Sequence, residues 1–229
     1  MDDERPTRNI FQTLTTHNPQ VTTHKLFLAS ANPGKLREFQ VAARPLGVEV
    51  RTLPGFCQIA PCIEDGETFE ANARKKALYY SALTDGLVFA DDSGICVDAL
   101  GGAPGVYSAR FAGPTAGDED NNRKLLNEIH RGEAGAGHRP TSGERAAHYA
   151  CVIALAARGK VLASVEGTVH GMIIDTPRGS GGFGYDPYFL FPPLGKTFAE
   201  LTAEQKFEVS HRGHAFRKLL DFLKQMPVM

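Results

Sequence analysis

The chain predicts an α/β protein, and three features of its sequence carry that expectation. Apolar runs of strand length alternate with amphipathic helical spacing through the N-terminal half. Two long apolar segments, Ala146–Ala157 and Lys160–Ile174, face each other across Arg158-Gly159-Lys160 as a hairpin. Near the C-terminus, Thr202 with Gln205 forms a capping-box pattern, and Ser210 caps a last helix. At 229 residues, 42% of them hydrophobic and 22% charged, the chain suffices for one substantial or two-lobed domain with a proper core.

Lys25 to Ser30 reads as the first strand. Asn32-Pro33-Gly34-Lys35 breaks it, and Leu36, Phe39 and Ala43 then recur at helical spacing. Such a turn puts backbone N–H groups and a lysine where a phosphate can sit, at a helix N-terminus. It also fits a plain strand-to-helix connection. A Walker A loop would need a glycine near Ala29 and Ser or Thr at Leu36, so a P-loop is excluded. Val48 to Thr52 is a second strand, and a Pro- and Cys-containing loop leads to Glu64-Asp65-Gly66. From about Thr68 a helix gathers Phe69, Ala73, Ala77 and Tyr80 on one face, with Lys76 on or beside that stripe. A lysine so placed either snorkels to solvent or reaches into a cleft. Glu64 reads either as a solvated loop residue or as a metal ligand.

Leu87 to Ala90 is a buried strand that ends in an acidic turn, Asp91-Asp92-Ser93-Gly94, before apolar residues resume from Ile95 to Leu100. Two carboxylates against so much core call for a cation, a proton or strong donors, unless the turn is simply solvated. Gly101 to Gly105 makes a tight turn, and Tyr107 to Gly113 leads to a helix over Asp118 to His130 with Leu125, Leu126 and Ile129 inward. Arg131 to Arg145 reads as an exposed, mobile connection between two halves. After the hairpin, Pro177 to Phe191 combines glycines with Phe183, Tyr185 and Asp186. Glycines of this density allow close backbone approach to a ligand, and an aromatic beside them can stack on a planar base or tuck into the core. A short helix carries Lys206. His211 and Arg212 open the last helix, where cations oppose the macrodipole and an anionic ligand would account for them. His211 and His214 have the i,i+3 spacing of a metal pair but no cysteine or carboxylate partner nearby.

A formal net charge of −1 gives no reason to invoke nucleic acid or a membrane surface as partner. Cys57, Cys62, Cys96 and Cys151 show no CxxC spacing, and the last two lie in apolar runs, as buried thiols of a reducing compartment do. Residues 1–24 are polar and Thr-rich without a signal-peptide core, and are expected to form a flexible extension ahead of a single two-lobed domain over 25–229. No stretch is long and apolar enough to span a bilayer, so the expectation is a cytoplasmic protein.

Acids (Glu64, Asp91, Asp92), turn hydroxyls and an amide (Ser30, Asn32, Ser93), cations (Lys35, Lys76, Lys206, Arg212) and an aromatic glycine loop suit phosphoryl chemistry on a nucleotide. Mg²⁺ commonly takes one or two carboxylates plus phosphate oxygens. In order along the chain stand Ser30-Ala31-Asn32-Pro33-Gly34-Lys35, Glu64-Asp65-Gly66-Glu67-Thr68-Phe69, Asn72-Ala73 with Lys76-Ala77, Ala90-Asp91-Asp92-Ser93-Gly94, Gly101 to Arg110, Gly182-Phe183-Gly184-Tyr185-Asp186-Pro187 and Ser210-His211-Arg212-Gly213. With these motifs the chain resembles the inosine triphosphate pyrophosphatase family from about Lys25 to Leu223.

The resemblance implies an elongated α/β fold with a long mixed sheet, flanking helices and two lobes enclosing an active-site cleft, usually as a homodimer. It implies hydrolysis of non-standard purine nucleoside triphosphates to the monophosphate and pyrophosphate. By motif match, Asp92 would accept the proton of the attacking water and bind Mg²⁺ with Glu64. The turn of Ser30, Ala31, Asn32, Pro33, Gly34 and Lys35, together with Lys76, Lys206 and Arg212, would hold the triphosphate. Ser93, Phe183, Gly184, Tyr185, Asp186, His211 and Arg212 would line the nucleoside end, and Asp91 would position the acidic turn. Ile63 stands where many relatives carry an acid, which leaves the second metal ligand open. A nucleotide sensor without catalysis, and a pyrophosphatase for other modified nucleotides, are the rival readings.

Overall fold

The structure is a computed structural model that describes residues 25–136 and 145–226. The expected N-terminal extension lies outside them. In chain order the elements are β1 (Lys25–Leu28), α1 (Pro33–Ala43), β2 (Glu49–Thr52), α2 (Phe69–Ser81), β3 (Leu87–Val97), α3 (Asp118–Ala136), β4 (Ala146–Ala157), β5 (Lys160–Ile173), β6 (Phe189–Phe191), β7 (Lys196–Thr197), α4 (Ala203–Val209) and α5 (His211–Gln225). The seven strands form one mixed sheet in the order β2-β1-β3-β4-β5-β6-β7. β1 pairs parallel with β2 and β3, and every other pairing is antiparallel.

The local chemistry explains most boundaries. Asn32 caps α1, its side chain accepting the N–H groups of Gly34 and Lys35, and Pro33 occupies the first helical position. Thr68 caps α2, and Ser210 caps α5. Thr202 and Gln205 complete a capping box on α4. The β4–β5 hairpin closes over two residues of positive φ, Arg158 at +49° and Gly159 at +70°, as a two-residue loop matched to strand twist requires.

Helices cover both faces of the central strands, which is why those strands read as unbroken apolar runs. Phe89 of β3 and Cys151, Ile153 and Leu155 of β4 pack with Phe39 of α1 and Phe216 and Leu219 of α5. The alternate residues Val88, Ala90, Val152, Ala154 and Ala156 pack with Ala73, Ala77 and Tyr80 of α2. Further along, Ile95 and Val97 join Tyr149, Phe189 and Phe198 with Leu125 and Ile129 of α3. No helix among the described residues is long and apolar enough to cross a membrane.

Two expectations are corrected. The segment Asp91 to Gly94 is not a turn: β3 runs through it without interruption, and all four residues pair with β4. Ten consecutive partners on β4, from Ala147 to Ala156, hold the strand extended and override the turn preference of Asp, Ser and Gly. α3 continues past His130 to Ala136, so 131–136 are helical, and residues 137–144 of the expected connection lie outside the described residues.

Candidate active site

The site forms where one strand stops and its neighbour continues. β1 pairs with β3 only as far as Leu28 opposite Phe89, with one further bond from Ala29 N–H to the Phe89 carbonyl. Beyond that point no strand among the described residues lies beside the β3 edge until Cys96 bridges to Pro104, and a cleft of about 510 Å³ opens there. This is the carboxyl end of the parallel strands, the usual ligand crevice of an open α/β sheet, and the volume is that of a small-molecule site. Gly94 admits the other wall: a Cβ there would collide with Ser108 Oγ and the Gly105 carbonyl. Ser108 Oγ accepts the Ile95 N–H at 2.9 Å.

Strand alternation sends the two aspartates to opposite faces. Asp92 points toward α2. Its Oδ1 lies 3.1 Å from Lys76 Nζ, and its Oδ2 accepts from Asn72 Nδ2 at 3.2 Å. The same ammonium donates to Glu64 Oε2 at 2.7 Å and to the Asp91 carbonyl, on the uncovered β3 edge, at 2.8 Å. Burial raises the Asp92 carboxyl above its ordinary range and outweighs the Lys76 and Lys35 charges, with Glu64 adding to the rise. Lys76 is buried as well, yet the surrounding carboxylates Asp92, Glu64 and Asp91 raise its pKa and keep it charged.

Asp91 points the other way, toward α1 and α5, and its side chain is fully buried. Lys35 Nζ lies 2.9 Å and Arg212 Nε 3.4 Å from its Oδ2, and Ser93 Oγ donates to the same oxygen at 3.2 Å. Burial alone would raise this carboxyl, but Lys35 and Arg212, then Lys76, hold it well below the carboxylate range. Asp91 therefore anchors a buried ion cluster and does not shape a turn. Arg212 also reaches Glu38 Oε2 at 3.0 Å and Ser93 Oγ at 2.9 Å. Lys206, buried, bridges Glu38 Oε1 and Asp186 Oδ2. The cations at the start of α5 thus find their anions inside the protein, in Asp91 and Glu38, without an external ligand.

Asp186 Oδ2 also accepts the Phe183 N–H at 2.9 Å, which folds the turn so that the Phe183 ring covers Lys206 Nζ at 4.8 Å and Arg212 Cζ at 5.0 Å. The ring abuts Gly34, where an added Cβ would come within 2.6 Å of it. Tyr185 is pinned by its hydroxyl, which donates to the Ser108 carbonyl at 2.8 Å.

Ser30, Ala31, Asn32, Lys35, Glu64, Lys76, Asp92, Ser93, Phe183, Gly184, Tyr185, Asp186 and Arg212 all line this cleft. Pro33 and Gly34 do not, and Gly34 is covered instead by the Phe183 ring. Nor do Lys206 and His211. The His211 ring lies flat on Tyr149, 4.6 Å between centroids and 7° apart, and Tyr149 faces the cleft in its place. Burial, then Arg212 and Lys206, push His211 well below the ordinary histidine value, so its ring is neutral. Neither ring nitrogen has a partner among the described residues. Asn32 Oδ1 already accepts two N–H groups of the α1 N-terminus, at 2.8 and 3.2 Å.

Three site residues carried no assigned role in the sequence reading. Asn72 fixes Asp92 and also binds the Gly66 N–H and carbonyl, tying the Glu64 loop to α2. Glu38 joins Lys206 to Arg212, and its place one turn from Lys35 on the helix was the available signal. Arg110 donates to the Glu64 carbonyl at 3.3 Å. Glu64 and Asp92 are two carboxylates converging on one cation, a donor set that fits a hard divalent ion. Among the described residues no third acid, histidine or cysteine joins them, so such an ion would also need substrate oxygens, as Mg²⁺ usually does.

Comparison with known proteins places the chain in one family. A sequence profile of the Ham1 family matches residues 26–222. The dITP/XTP pyrophosphatase of Acidobacterium capsulatum is 47% identical over 204 residues, covering 85% of this chain and 96% of that protein. That of Exiguobacterium sp. is 47% identical over 195 residues, covering 85% and 94%. Among solved structures, the Ham1 protein of Staphylococcus aureus superposes with a TM-score of 0.72 at 38% identity, covering 87% of this chain and 98% of that one. A HAM1 protein from Coxiella burnetii gives 0.76 at 35% identity, covering 89% and 100%.

Proposed function

The chain belongs to the Ham1 family, and from that membership we propose that it is a pyrophosphatase hydrolysing the non-standard purine nucleotides ITP, dITP and XTP to monophosphate and pyrophosphate. The observation that carries the reading is one cleft lined both by Asp92 and Lys76 and by the Phe183–Asp186 turn. The Ser30–Lys35 turn reaches from one to the other.

In this reading water attacks the α-phosphorus, the bond from that phosphorus to the bridging oxygen breaks, and the electron pair leaves with pyrophosphate. Asp92 takes the water's proton. Asn72 and Lys76 hold its two oxygens in place, and burial raises its basicity toward the range a general base needs. Lys35 and Lys76 hold the triphosphate together with the Ser30–Lys35 turn, while Arg212, fixed by Glu38 and Asp91, lines the cleft with Ser93 toward the nucleoside end. Lys206 acts from beneath the Phe183 ring, fixing Asp186 and hence the stacking residue. Glu64 and Asp92 would hold Mg²⁺ together with phosphate oxygens. When bound, that ion supplies charge neutralisation for the leaving pyrophosphate and acidifies water. The family resemblance supports a homodimer as the working form.

The test is pyrophosphate release with Mg²⁺ from ITP, XTP and dITP beside ATP, GTP, dTTP and UTP. Rates on the 6-oxo purines about a hundredfold or more above ATP are expected, since a donor that binds an oxygen is left unpaired by an amino group. Equal release from ATP would end the selectivity, and no release from any nucleotide would leave a binding sensor. EDTA should abolish release and added Mg²⁺ restore it. Turnover undiminished by EDTA would remove the metal from the reading.

A further inference from the structure

The motif from Gly101 to Arg110 ends on a cation that lines the cleft. Its second half folds as a 3₁₀ helix, Gly105–Arg110, fastened to three neighbours. Ser108 Oγ accepts the Ile95 N–H of β3 at 2.9 Å, and the Ser108 carbonyl accepts the Tyr185 hydroxyl at 2.8 Å. Asn121 of α3, buried, clasps the far end: its Oδ1 accepts the Ala112 N–H at 2.8 Å, and its Nδ2 donates to the Ala109 carbonyl at 3.3 Å. The backbone is thus fixed on both sides of Arg110. From there the guanidinium donates to the Glu64 carbonyl at 3.3 Å and lies 5.2 Å from the Tyr107 ring.

Four Lys and Arg side chains among the described residues line the cleft, and three of them have carboxylates inside the protein. Lys35 has Asp91, Lys76 has Glu64 and Asp92, and Arg212 has Glu38 and Asp91. Arg110 has no carboxylate partner among the described residues; a main-chain carbonyl and an aromatic ring are what meet it. A guanidinium presents a planar fork of N–H donors that matches two phosphate oxygens at once, and most of this fork is unused. Half-buried and without a counter-charge, it is ready to pair with an anion. Its anchor says which part of a nucleotide it meets. Glu64 and Asp92 lie with Lys76 on the α2 face of β3, whereas Ser93 and Arg212 lie on the α5 face toward the nucleoside end. Arg110 reaches the main chain of Glu64 and so stands at the carboxylate end of the cleft.

We propose that Arg110 binds the oxygens of the diphosphate that leaves. This rests on the pyrophosphatase reading and adds the group that meets the charge gathering on pyrophosphate as its bond to the α-phosphorus breaks. Lys35 and Lys76 share their charge with internal carboxylates, whereas the charge of Arg110 is available whole.

The experiment follows ITP consumption by ion-exchange chromatography at saturating Mg²⁺, with the two products, IMP and inorganic pyrophosphate, added as inhibitors. The proteins are the native chain, Arg110→Gln, Arg110→Met and Arg110→Lys, each checked for folding by thermal melting. In Arg110→Gln, kcat/KM for ITP should fall about tenfold to a hundredfold and the inhibition constant of pyrophosphate should rise about tenfold or more, while that of IMP stays native. Arg110→Lys keeps the charge without the fork and should recover part of both losses. Arg110→Met keeps the apolar stem beside Tyr107 and carries the test if the glutamine variant does not fold. A purely structural role, exerted through the Glu64 carbonyl, would shift both products together or raise the Mg²⁺ requirement with pyrophosphate inhibition unchanged, and either result overturns the proposal. A native protein that hydrolyses ITP while its Arg110 variants keep native pyrophosphate inhibition removes this proposal alone. A native protein without ITP turnover removes the pyrophosphatase reading as well.

Discussion

Asp91 and Asp92 differ because a strand alternates. One carboxylate is locked among Lys35, Arg212 and Ser93 in the interior. The other faces the cleft with Lys76, Asn72 and Glu64 around it. Only the second combines access with a raised pKa. Asp92→Asn should lower pyrophosphate release by a factor of about 10²–10⁴, the usual worth of a general base, with the far-ultraviolet circular dichroism retained. Near-native turnover would exclude Asp92 from the chemistry. Lys76 tests the electrostatics separately. Its ammonium lowers the Asp92 pKa, so Lys76→Met should move the acid limb of the rate–pH profile of residual activity upward, and an unmoved limb would contradict that coupling. The variant also leaves the Asp92 carboxylate buried without its cation, a loss of about 3 kcal/mol measurable by urea unfolding.

At the scale of elements, Glu38 is the link that ties α1 to α4 through Lys206 and to α5 through Arg212. Removing its charge takes one of two carboxylate partners from each of two buried cations, so Glu38→Gln should cost about 3 kcal/mol in denaturant unfolding. A cost no larger than that of a surface substitution would show the cluster to be energetically idle. Close backbone approach sets other contacts. At Gly213 a Cβ would run into the Phe207 carbonyl between α4 and α5, and Gly213→Ala should destabilise by about 1–3 kcal/mol through overpacking. At Gly34 the obstacle is instead the Phe183 ring, a movable side chain. Gly34→Ala should therefore leave stability nearly intact and raise KM for every purine triphosphate by displacing the stacking ring. A KM increase confined to ITP would argue against stacking.

For the whole molecule, the buried ions make stability depend on pH with two opposing signs. Asp91 and Glu38 have folded-state pKa values below their ordinary 3.8 and 4.5, so the stability they contribute is present above those values and is lost as acid titrates the folded state. Asp92 and Asp186 are raised, so the folded state favours their protonated forms. What they contribute is present below pH 3.8 and lost as pH rises through the raised values. The measurable consequence is a urea midpoint that declines below about pH 4, with a shallower decline in Asp91→Asn. An identical slope in that variant would mean that Asp91 titrates alike in both states.

Local signals were sufficient wherever a short stretch decides its own conformation. The caps at Asn32, Thr68, Thr202 and Ser210, the hairpin at Arg158-Gly159 and the period of α2 and α5 are each written in a few neighbouring residues. Seven motifs in order also specified the family. What the chain could not show locally was every feature made by residues far apart. Asp91 to Gly94 carries turn chemistry but lies in a strand because β4 pairs with it, and a turn preference worth tenths of a kcal/mol yields to a ladder and two packed faces. Lys206 and Arg212 read as cations awaiting a phosphate, yet Glu38, well over a hundred positions away, satisfies both. Periodicity and capping act within a turn or two of chain, so they determine elements. The pairing of buried charges is decided by tertiary contact, because only the folded chain excludes the water that would otherwise satisfy them.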